Sequence, residues 1–238
     1  MDPIEAFVLG LVQGFTEFFP VSSSGHLSIF QALFGGREEG GLLFEVGLHV
    51  ATLFAIAFFY RVRIAELIAG FFKRDAETLE YIGKLAVATL PAVVIGLGAK
   101  DFIEAQFSNP VLVGIALLVT GCIVMSTRWT APKAVALMPT WGAALLIGCA
   151  QAFAILPGIS RSGSTVAMAL LLGVAPLAAA EFAFLMGIIA IAGAAVLMIP
   201  DLQGADTAAL ADLAIGGAAA LVSGLVAIWL FVRMLDRS

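Results

Sequence analysis

The chain has very little charge for its length. Only 12% of its 238 residues are Asp, Glu, Lys or Arg, 61% are hydrophobic, and the mean hydropathy is +1.07. A soluble domain of this length could not bury so much apolar surface, so the composition excludes one and predicts an all-α polytopic membrane protein. With 12 basic residues and a net charge of −5, the chain also lacks the basic surface that a nucleic-acid partner needs.

Cysteine is scarce as well, and the chain opens without a basic segment. Cys122 and Cys149 stand alone in apolar segments, which favours packing side chains over a disulfide or a metal pair. The start MDPIEAFVLG has no basic n-region, so a cleaved signal peptide is not expected. Asp2 followed by Pro3 predicts instead the cap and first turn of a helix.

Five segments approach the roughly 20 apolar residues that cross a bilayer. These predicted spans are 42–60, 82–99, 111–127, 182–200 and 213–232. Basic residues gather after the first and third spans and at the C-terminus, whereas the loop after the fourth span is acidic. The positive-inside rule therefore predicts a multi-pass protein with its N-terminus outside.

Two further apolar regions, 4–35 and 142–174, are interrupted by the polar stretches PVSSSGH and PGISRSGS. Each arm is too short, or too polar at its end, to be a comfortable span. Broken helices lie at membrane depth only where protein or a wet cavity surrounds them. The pattern therefore predicts two re-entrant helical hairpins, each with a tip rich in serine and glycine.

A shift of 138 residues aligns the two hairpins, which indicates an internal repeat. The matched pairs are Gly10 with Gly148, Gln13 with Gln151, Ser22 with Ser160, and Ser24 with Ser162. Three spans separate the hairpins, and an odd number inverts the second copy. We predict one membrane domain, 1–238, with repeat 1 at about 4–127 and repeat 2 at about 142–232. The tips of such repeats meet near the midplane and commonly build a site there.

The residues at the tips point to chemistry on a phosphate or diphosphate. Each tip starts a half-helix whose free N–H groups and partial positive charge suit an anion, and Arg161 adds paired donors for phosphoryl oxygens. The first hairpin carries Glu17 and His26 where the second has Ile155 and Ser164. A carboxylate beside a phosphate suits a general acid or base, or a divalent cation held between them.

Other interpretations of the same residues stay open. A buried ion pair between Glu17 and Arg161 could simply lock the repeats together, and the tip serines could be helix caps. His49, within the first span, is interpreted as a satisfied core histidine. Glu45 and Glu181 each begin a span after a hairpin and could make a structural hydrogen bond as easily as serve the site.

The segments QGFTEFFPVSSSGH at 13–26 and PGISRSGST at 157–165 resemble the two signature regions of the bacterial undecaprenyl-diphosphate phosphatase family. Further similarity runs through 42–56 and 179–188. The resemblance implies hydrolysis of undecaprenyl diphosphate to undecaprenyl phosphate and inorganic phosphate, which recycles the lipid carrier of peptidoglycan synthesis and is associated with bacitracin resistance. It also implies an inner (cytoplasmic) membrane enzyme whose site opens to the periplasm, with a divalent cation, usually magnesium.

The resemblance also implies roles for individual residues. The catalytic group is expected to be Glu17, Ser23, His26 and Arg161, with Glu17 also a candidate metal ligand. The expected substrate-binding residues are Gln13, Ser22, Ser24, Gln151, Ser160, Ser162 and Thr165. The nucleophile stays open between Ser23, His26 and water, and so does a homodimer.

Two departures from the family pattern matter. Gln13 stands where many relatives have Glu, which weakens any mechanism with two acidic metal ligands. Relatives usually continue into one more membrane helix beyond the position of Ser238, so the family's sixth helix is expected to be absent. The rival function is a transporter or flippase of a phosphorylated polyprenyl lipid, which would release no inorganic phosphate.

Overall fold

The computed structural model describes residues 1–34, 41–107, 109–197 and 207–236, which are almost entirely helical. In chain order the helices are α1 Pro3–Phe18, α2 Ser23–Leu33, α3 Gly41–Phe59, α4 Arg61–Lys73, α5 Ala76–Gly98, α6 Lys100–Phe107, α7 Pro110–Thr130, a 3₁₀ turn Ala131–Lys133, α8 Trp141–Phe153, α9 Arg161–Leu171, α10 Pro176–Leu197 and α11 Thr207–Asp236.

Four of these helices, α5, α7, α10 and α11, are long and apolar enough to cross a membrane. The predicted span 42–60 falls on α3, whose apolar part Phe44–Phe59 is shorter, as is α8. The predicted fold class, an all-α polytopic membrane protein, is confirmed.

Two helices begin before the predicted spans. α5 begins at Ala76 rather than at 82, because the Asp75 carboxylate accepts a hydrogen bond from Thr78 N at 2.9 Å and caps a polar first turn. α10 begins at Pro176 rather than at 182, with proline in its first turn. Hydropathy marks only an uninterrupted apolar run, so it misses the polar first turn of α5 and the turn of α10 that precedes Glu181. The predicted residues 198–200 lie outside the described residues.

Each predicted hairpin region contains two helices that pack on each other. In 4–35, α1 is joined to α2 by residues 19–22, and in 142–174, α8 is joined to α9 by residues 154–160. The predicted cap at Asp2 is confirmed, since its Oδ1 accepts from Ile4 N at 2.8 Å. Residue 35 lies outside the described residues.

The first arm of each hairpin packs along a long helix from the other half of the chain. α1 makes its most extensive contact with α11, and α8 makes its most extensive contact with α5. Both contacts are made at a glycine: a Cβ on Gly10 would overlap the carbonyl oxygen of Gly216, and one on Gly148 would overlap that of Ala88. These are the glycines that the 138-residue shift aligns. The duplication itself stays a prediction.

Aromatic side chains fix the end of α1 against its neighbours. Phe18 is fully buried and meets Phe184 of α10 edge to face at 5.7 Å, and Phe184 in turn meets Phe231 of α11 at 5.8 Å. Such edge-to-face pairs contribute about 1 kcal/mol each beyond burial. The residue before Phe18 is Glu17, so this packing orients the predicted acidic residue.

The two cysteines do not pack in the core. Both Cys122 on α7 and Cys149 on α8 are free and exposed, so the prediction that they are packing residues is wrong. An apolar segment of a membrane helix does not reveal which of its faces meets protein and which meets lipid.

Candidate active site

The two tips meet each other directly. Ser24 Oγ accepts a hydrogen bond from Gly158 N at 3.4 Å, and Ser162 Oγ donates to the Phe19 carbonyl at 3.3 Å. Gly25 permits this approach, because a Cβ there would lie 3.1 Å from the Gly158 Cα. Gly158 itself has φ +91°, a conformation that favours glycine. The tips of the two hairpins therefore form one continuous site.

Glu17 lies at the centre of the site. Its Oε2 accepts hydrogen bonds from Ser23 Oγ at 2.6 Å and from Gln13 Nε2 at 3.1 Å, and its Oε1 pairs with Arg161 Nη2. The Glu17 side chain is only 4% exposed, so these contacts replace its water shell. Four of the predicted residues, from both hairpins, are thus brought into contact.

Arg161 is held in place but keeps binding capacity. Its Nη1 donates to the Gly187 carbonyl of α10 at 3.3 Å, in addition to the ion pair with Glu17. A guanidinium has five N–H donors, and the Arg161 side chain is 23% exposed. It can therefore contact Glu17 and an incoming anion at once.

Both tips are capped in the same way. Ser22 Oγ accepts from Gly25 N at 3.4 Å to cap α2, and Ser160 Oγ accepts from Gly163 N at 3.0 Å to cap α9. In each tip the capping hydroxyl also lies 3.3 Å from the hydroxyl two residues later, on Ser24 or Ser162. Two helix N-termini therefore converge on the Glu17–Arg161 pair, which gives the site positive potential.

One ring nitrogen of His26 has a fixed role. Its Nδ1 lies 2.8 Å from the Ser22 carbonyl oxygen, which can only accept, so Nδ1 donates in this contact and Nε2 is left for another partner. Ser22 has φ 69° and is one of two described residues other than glycine with positive φ. The hydrogen bond from His26 to the Ser22 carbonyl stabilises this unfavourable backbone conformation at the tip. His26 follows Ser23 by three residues and so lies on the same face of α2.

Thr165 and Gln151 stand apart from this cluster. Thr165 Oγ1 donates to the Arg161 carbonyl at 2.8 Å, within its own helix. Gln151, on α8, is 2% exposed, and its two side-chain polar atoms have no hydrogen-bond partner among the described residues. The structure does not place either side chain in contact with Glu17.

His49 contacts the site from α3. Its Nδ1 lies 2.8 Å from the Glu45 carbonyl, and its Nε2 faces Glu17 Oε2 at 3.6 Å. Both ring nitrogens of His49 therefore have partners, as the interpretation of a satisfied histidine expects, and one of these partners is the predicted acidic residue. Only its spacing from Glu45 on α3 was visible in the sequence, and no local motif connects it to Glu17.

The other glutamates have different partners. Glu45 faces His49 of its own helix and Gln31 of α2, so it lies beside the residue that contacts Glu17. Glu181 instead accepts from Arg63 Nε at 2.9 Å and from Tyr81 OH at 3.2 Å, which ties α10 to α4 and α5. These contacts support the structural interpretation of Glu181, and both interpretations of Glu45 stay open.

Thr120 supports the second tip from outside it. Its Oγ1 donates to the Gly158 carbonyl at 2.8 Å and accepts from Ser160 N at 2.9 Å. Thr120 lies on α7, far from either motif in the sequence. One buried hydroxyl thus satisfies two backbone groups of a loop that lacks helical hydrogen bonds.

Thr120→Val should therefore destabilise the protein. The substitution keeps the shape of the side chain but strands a buried N–H and a buried carbonyl, at a cost of about 2 kcal/mol. Thr127→Val on the same helix is the matched control, since Thr127 Oγ1 only bonds back to Val124 O at 2.7 Å. Thermal unfolding in detergent should show a lower Tm for Thr120→Val alone; equal Tm values would contradict this role of Thr120.

The site offers oxygen ligands for one divalent cation. Among the described residues no group of three or more His, Cys, Asp or Glu side chains is placed to hold a metal. However, Gln13 Oε1 is buried without a hydrogen-bond partner among those residues and belongs to the side chain that contacts Glu17. Mg²⁺ commonly takes one or two protein oxygens and completes its shell with water and substrate phosphates. The donor set therefore fits Mg²⁺ in the presence of a phosphorylated substrate.

Comparison with known proteins identifies the family. The chain is 40% identical to an undecaprenyl-diphosphatase of Desulfatibacillum aliphaticivorans, across 97% of this chain and 90% of that protein. It is 38% identical to an undecaprenyl-diphosphatase of Syntrophotalea carbinolica (100% and 92%) and 34% identical to one of Acinetobacter baumannii (99% and 88%). The family model of bacitracin resistance protein BacA matches residues 6–238. The resemblance seen in the two motifs is thus confirmed, and the chain belongs to the bacitracin resistance protein BacA family.

Proposed function

We propose that this membrane protein hydrolyses undecaprenyl diphosphate to undecaprenyl phosphate and inorganic phosphate. The observation that carries the proposal is the contact of a hydroxyl, a carboxylate and a guanidinium, on Ser23, Glu17 and Arg161, where two helix N-termini converge. These groups supply a nucleophile, a base and a cationic clamp, which are the parts that phosphoryl transfer needs. The names of the relatives support the same substrate.

The diphosphate is proposed to bind between the two tips. The N-termini of α2 and α9 provide partial positive charge, and Arg161 provides the free N–H donors that match phosphoryl oxygens. This charge offsets the negative charge on the oxygens of the terminal phosphoryl group as it transfers.

In the proposed first step, Ser23 Oγ attacks the terminal phosphorus. The Oγ–P bond forms, the bond from phosphorus to the bridging oxygen breaks, and undecaprenyl phosphate leaves. The hydroxyl proton passes to Glu17 Oε2, which lies 2.6 Å from Ser23 Oγ. This distance favours Ser23 over His26 as the nucleophile, because it couples a hydroxyl to a base at hydrogen-bonding distance.

In the proposed second step, water hydrolyses the phosphoserine. The water oxygen bonds to phosphorus while the P–Oγ bond breaks, and Ser23 Oγ regains the proton that Glu17 holds. One proton of the attacking water goes to His26 Nε2, and the other stays on the phosphate. Inorganic phosphate is then released as hydrogen phosphate, and His26 passes its proton to solvent, which restores the resting site.

Magnesium is the proposed cofactor. Gln13 Oε1 and the Glu17 carboxylate would hold it together with oxygens of the substrate. When bound, it would supply Lewis-acid stabilisation of the phosphoryl oxygens. Glutamine in place of a second carboxylate leaves the protein ligands with a single negative charge.

We further propose that the two halves are inverted repeats in the cytoplasmic membrane, with the site open to the periplasm. The packing of α1 on α11 and of α8 on α5 supports the repeat, since each contact is made at one of the two glycines, Gly10 and Gly148, that the 138-residue shift aligns. The distribution of basic residues supports an N-terminus, and hence a first hairpin, that enters from outside.

A phosphate-release assay tests the function. The purified chain in detergent should release inorganic phosphate from undecaprenyl diphosphate, whereas a transporter without hydrolysis would release none. Glu17→Gln and Arg161→Ala should each lower kcat by about 10²-fold, because one removes the base and the other the clamp. The double variant should lose much less than the product of the two, since the residues act as a unit.

Arg128→Ala is the matched control for loss of a positive charge. Arg128 is exposed on α7, where its guanidinium lies over the Trp129 ring. Its kcat should stay within about twofold of wild type. Equal activity of the wild type, Glu17→Gln and Arg161→Ala would show that the site assignment is wrong even if the function is right.

A further inference from the structure

A large apolar cavity lies between α5, α6 and α8. Its volume is about 750 Å³, within the range of small-molecule sites. Every side chain that the structure describes along its wall is apolar or, at Cys149, a thiol. Neither the proton chemistry nor the phosphate cradle described above uses these residues.

The cavity lies where α5, α6 and α8 meet. Gly83 of α5 faces Trp141 at the start of α8, so these two helices run side by side along the cavity. Leu90 and Val94 face the cavity from α5, and Phe102 faces it from α6. The apolar wall is therefore built by three helices together.

The cavity is continuous with the second tip. Ile155 and Leu156 line it, and the next residues along the chain are the tip residues 157–160 that lead to Arg161. Leu156 and Arg161 are five positions apart in the chain, so their Cα atoms lie at most about 18 Å apart. The same short loop therefore has a phosphate-binding end and an apolar wall.

We infer that this cavity binds the prenyl tail of the substrate and sets the preference of the enzyme for long-chain diphosphates. The inference rests on the proposed function for the identity of the substrate. A polyprenyl diphosphate joins a polar head to a linear chain of methyl-branched isoprene units, which matches a polar site followed directly by an apolar one. In a bilayer the gain comes from packing rather than from leaving water, so the cavity confers selectivity without tight binding.

The two free cysteines provide a matched pair of variants. Cys149 lines the cavity, whereas Cys122 is exposed on α7 and does not. Cys149→Trp fills the cavity, and Cys122→Trp adds the same bulk elsewhere on the apolar surface. The measurement is kcat/KM in detergent for undecaprenyl diphosphate and for dimethylallyl diphosphate, a five-carbon prenyl diphosphate too short to fill the cavity.

Cys149→Trp should lower kcat/KM for the long substrate by about 10-fold and for the short one by less than twofold, while Cys122→Trp changes neither. Equal losses on both substrates, no loss on the long one, or the same loss in Cys122→Trp would overturn the inference.

Thiol labelling tests the same cavity in the unmodified protein, without reliance on catalysis or on the folding of a variant. An apolar maleimide should modify Cys149 several-fold more slowly in the presence of undecaprenyl phosphate, with the rate at Cys122 unchanged. Equal protection of Cys149 by phosphatidylglycerol would assign the cavity to bulk lipid and overturn the inference. If the protein released no phosphate yet Cys149 were protected, the proposed function would fail and the tail site would stand.

Discussion

Ser23→Ala should abolish a covalent intermediate and lower kcat for phosphate release by on the order of 10⁴-fold. The expectation follows from the 2.6 Å contact between Ser23 Oγ and Glu17 Oε2, which makes this hydroxyl the activated group of the site. Undecaprenyl diphosphate labelled with ³²P in its terminal phosphate should leave label on the wild-type protein under rapid quench, and none on Ser23→Ala.

His26→Ala is the informative companion to Ser23→Ala. If His26 takes the proton of the attacking water, its loss slows the second step and leaves the first one intact. Labelled phosphoserine should then accumulate, with a burst of undecaprenyl phosphate followed by a steady rate about 10²-fold below wild type. Label on histidine in place of serine, or a Ser23→Ala variant with normal turnover, would refute the proposed nucleophile.

Gly10→Leu should prevent the protein from folding to a stable, monodisperse state in detergent. Even the first carbon of the new side chain would overlap the Gly216 carbonyl oxygen and lie 2.9 Å from the Ala219 Cβ, so α1 could not keep its place along α11. Overpacking of this kind typically costs 1–3 kcal/mol or more per site. Backbone atoms, unlike a flexible side chain, cannot move aside alone.

Gly148→Leu should fail in the same way, because its Cβ would overlap the Ala88 carbonyl oxygen of α5. Gly121→Leu is the control, since nothing lies within 4 Å of a Cβ at that position of α7. Leucine also has a more favourable helix propensity than glycine, by about 0.8 kcal/mol, so Gly121→Leu should not destabilise α7. Size-exclusion profiles and Tm values should separate Gly121→Leu from the other two; a well-folded Gly10→Leu protein would contradict the proposed close packing.

The meeting of polar residues at the tips was predictable from the sequence because the informative residues are adjacent in the chain. The nine-residue stretch 157–165 places serines, glycines and an arginine inside an apolar region, and few structural explanations account for that. The capping serines lie at the helix starts, where such residues belong. The contact between Glu17 and Arg161 required only that two matching hairpins face each other. The prediction of that pairing rested on the repeat that the 138-residue shift indicates.

His49 and Thr120 could not be predicted in the same way. Each is a single polar residue in a long apolar helix, and its role is set by a partner on another helix. The pattern of apolar residues does not reveal which face of a membrane helix points toward its neighbours, because lipid and protein core are equally apolar. The exposed positions of the two cysteines, predicted to pack inside, escaped prediction for the same reason.

The exchange of partners between the two halves has a consequence for biosynthesis. Gly10 and Gly216 touch although they are roughly 200 residues apart in the chain. When α1 leaves the ribosome, the surface that will hold it has not yet been translated. α1 must therefore wait among lipids or insertion factors until α11 has been synthesised, and catalytic competence can be reached only after that.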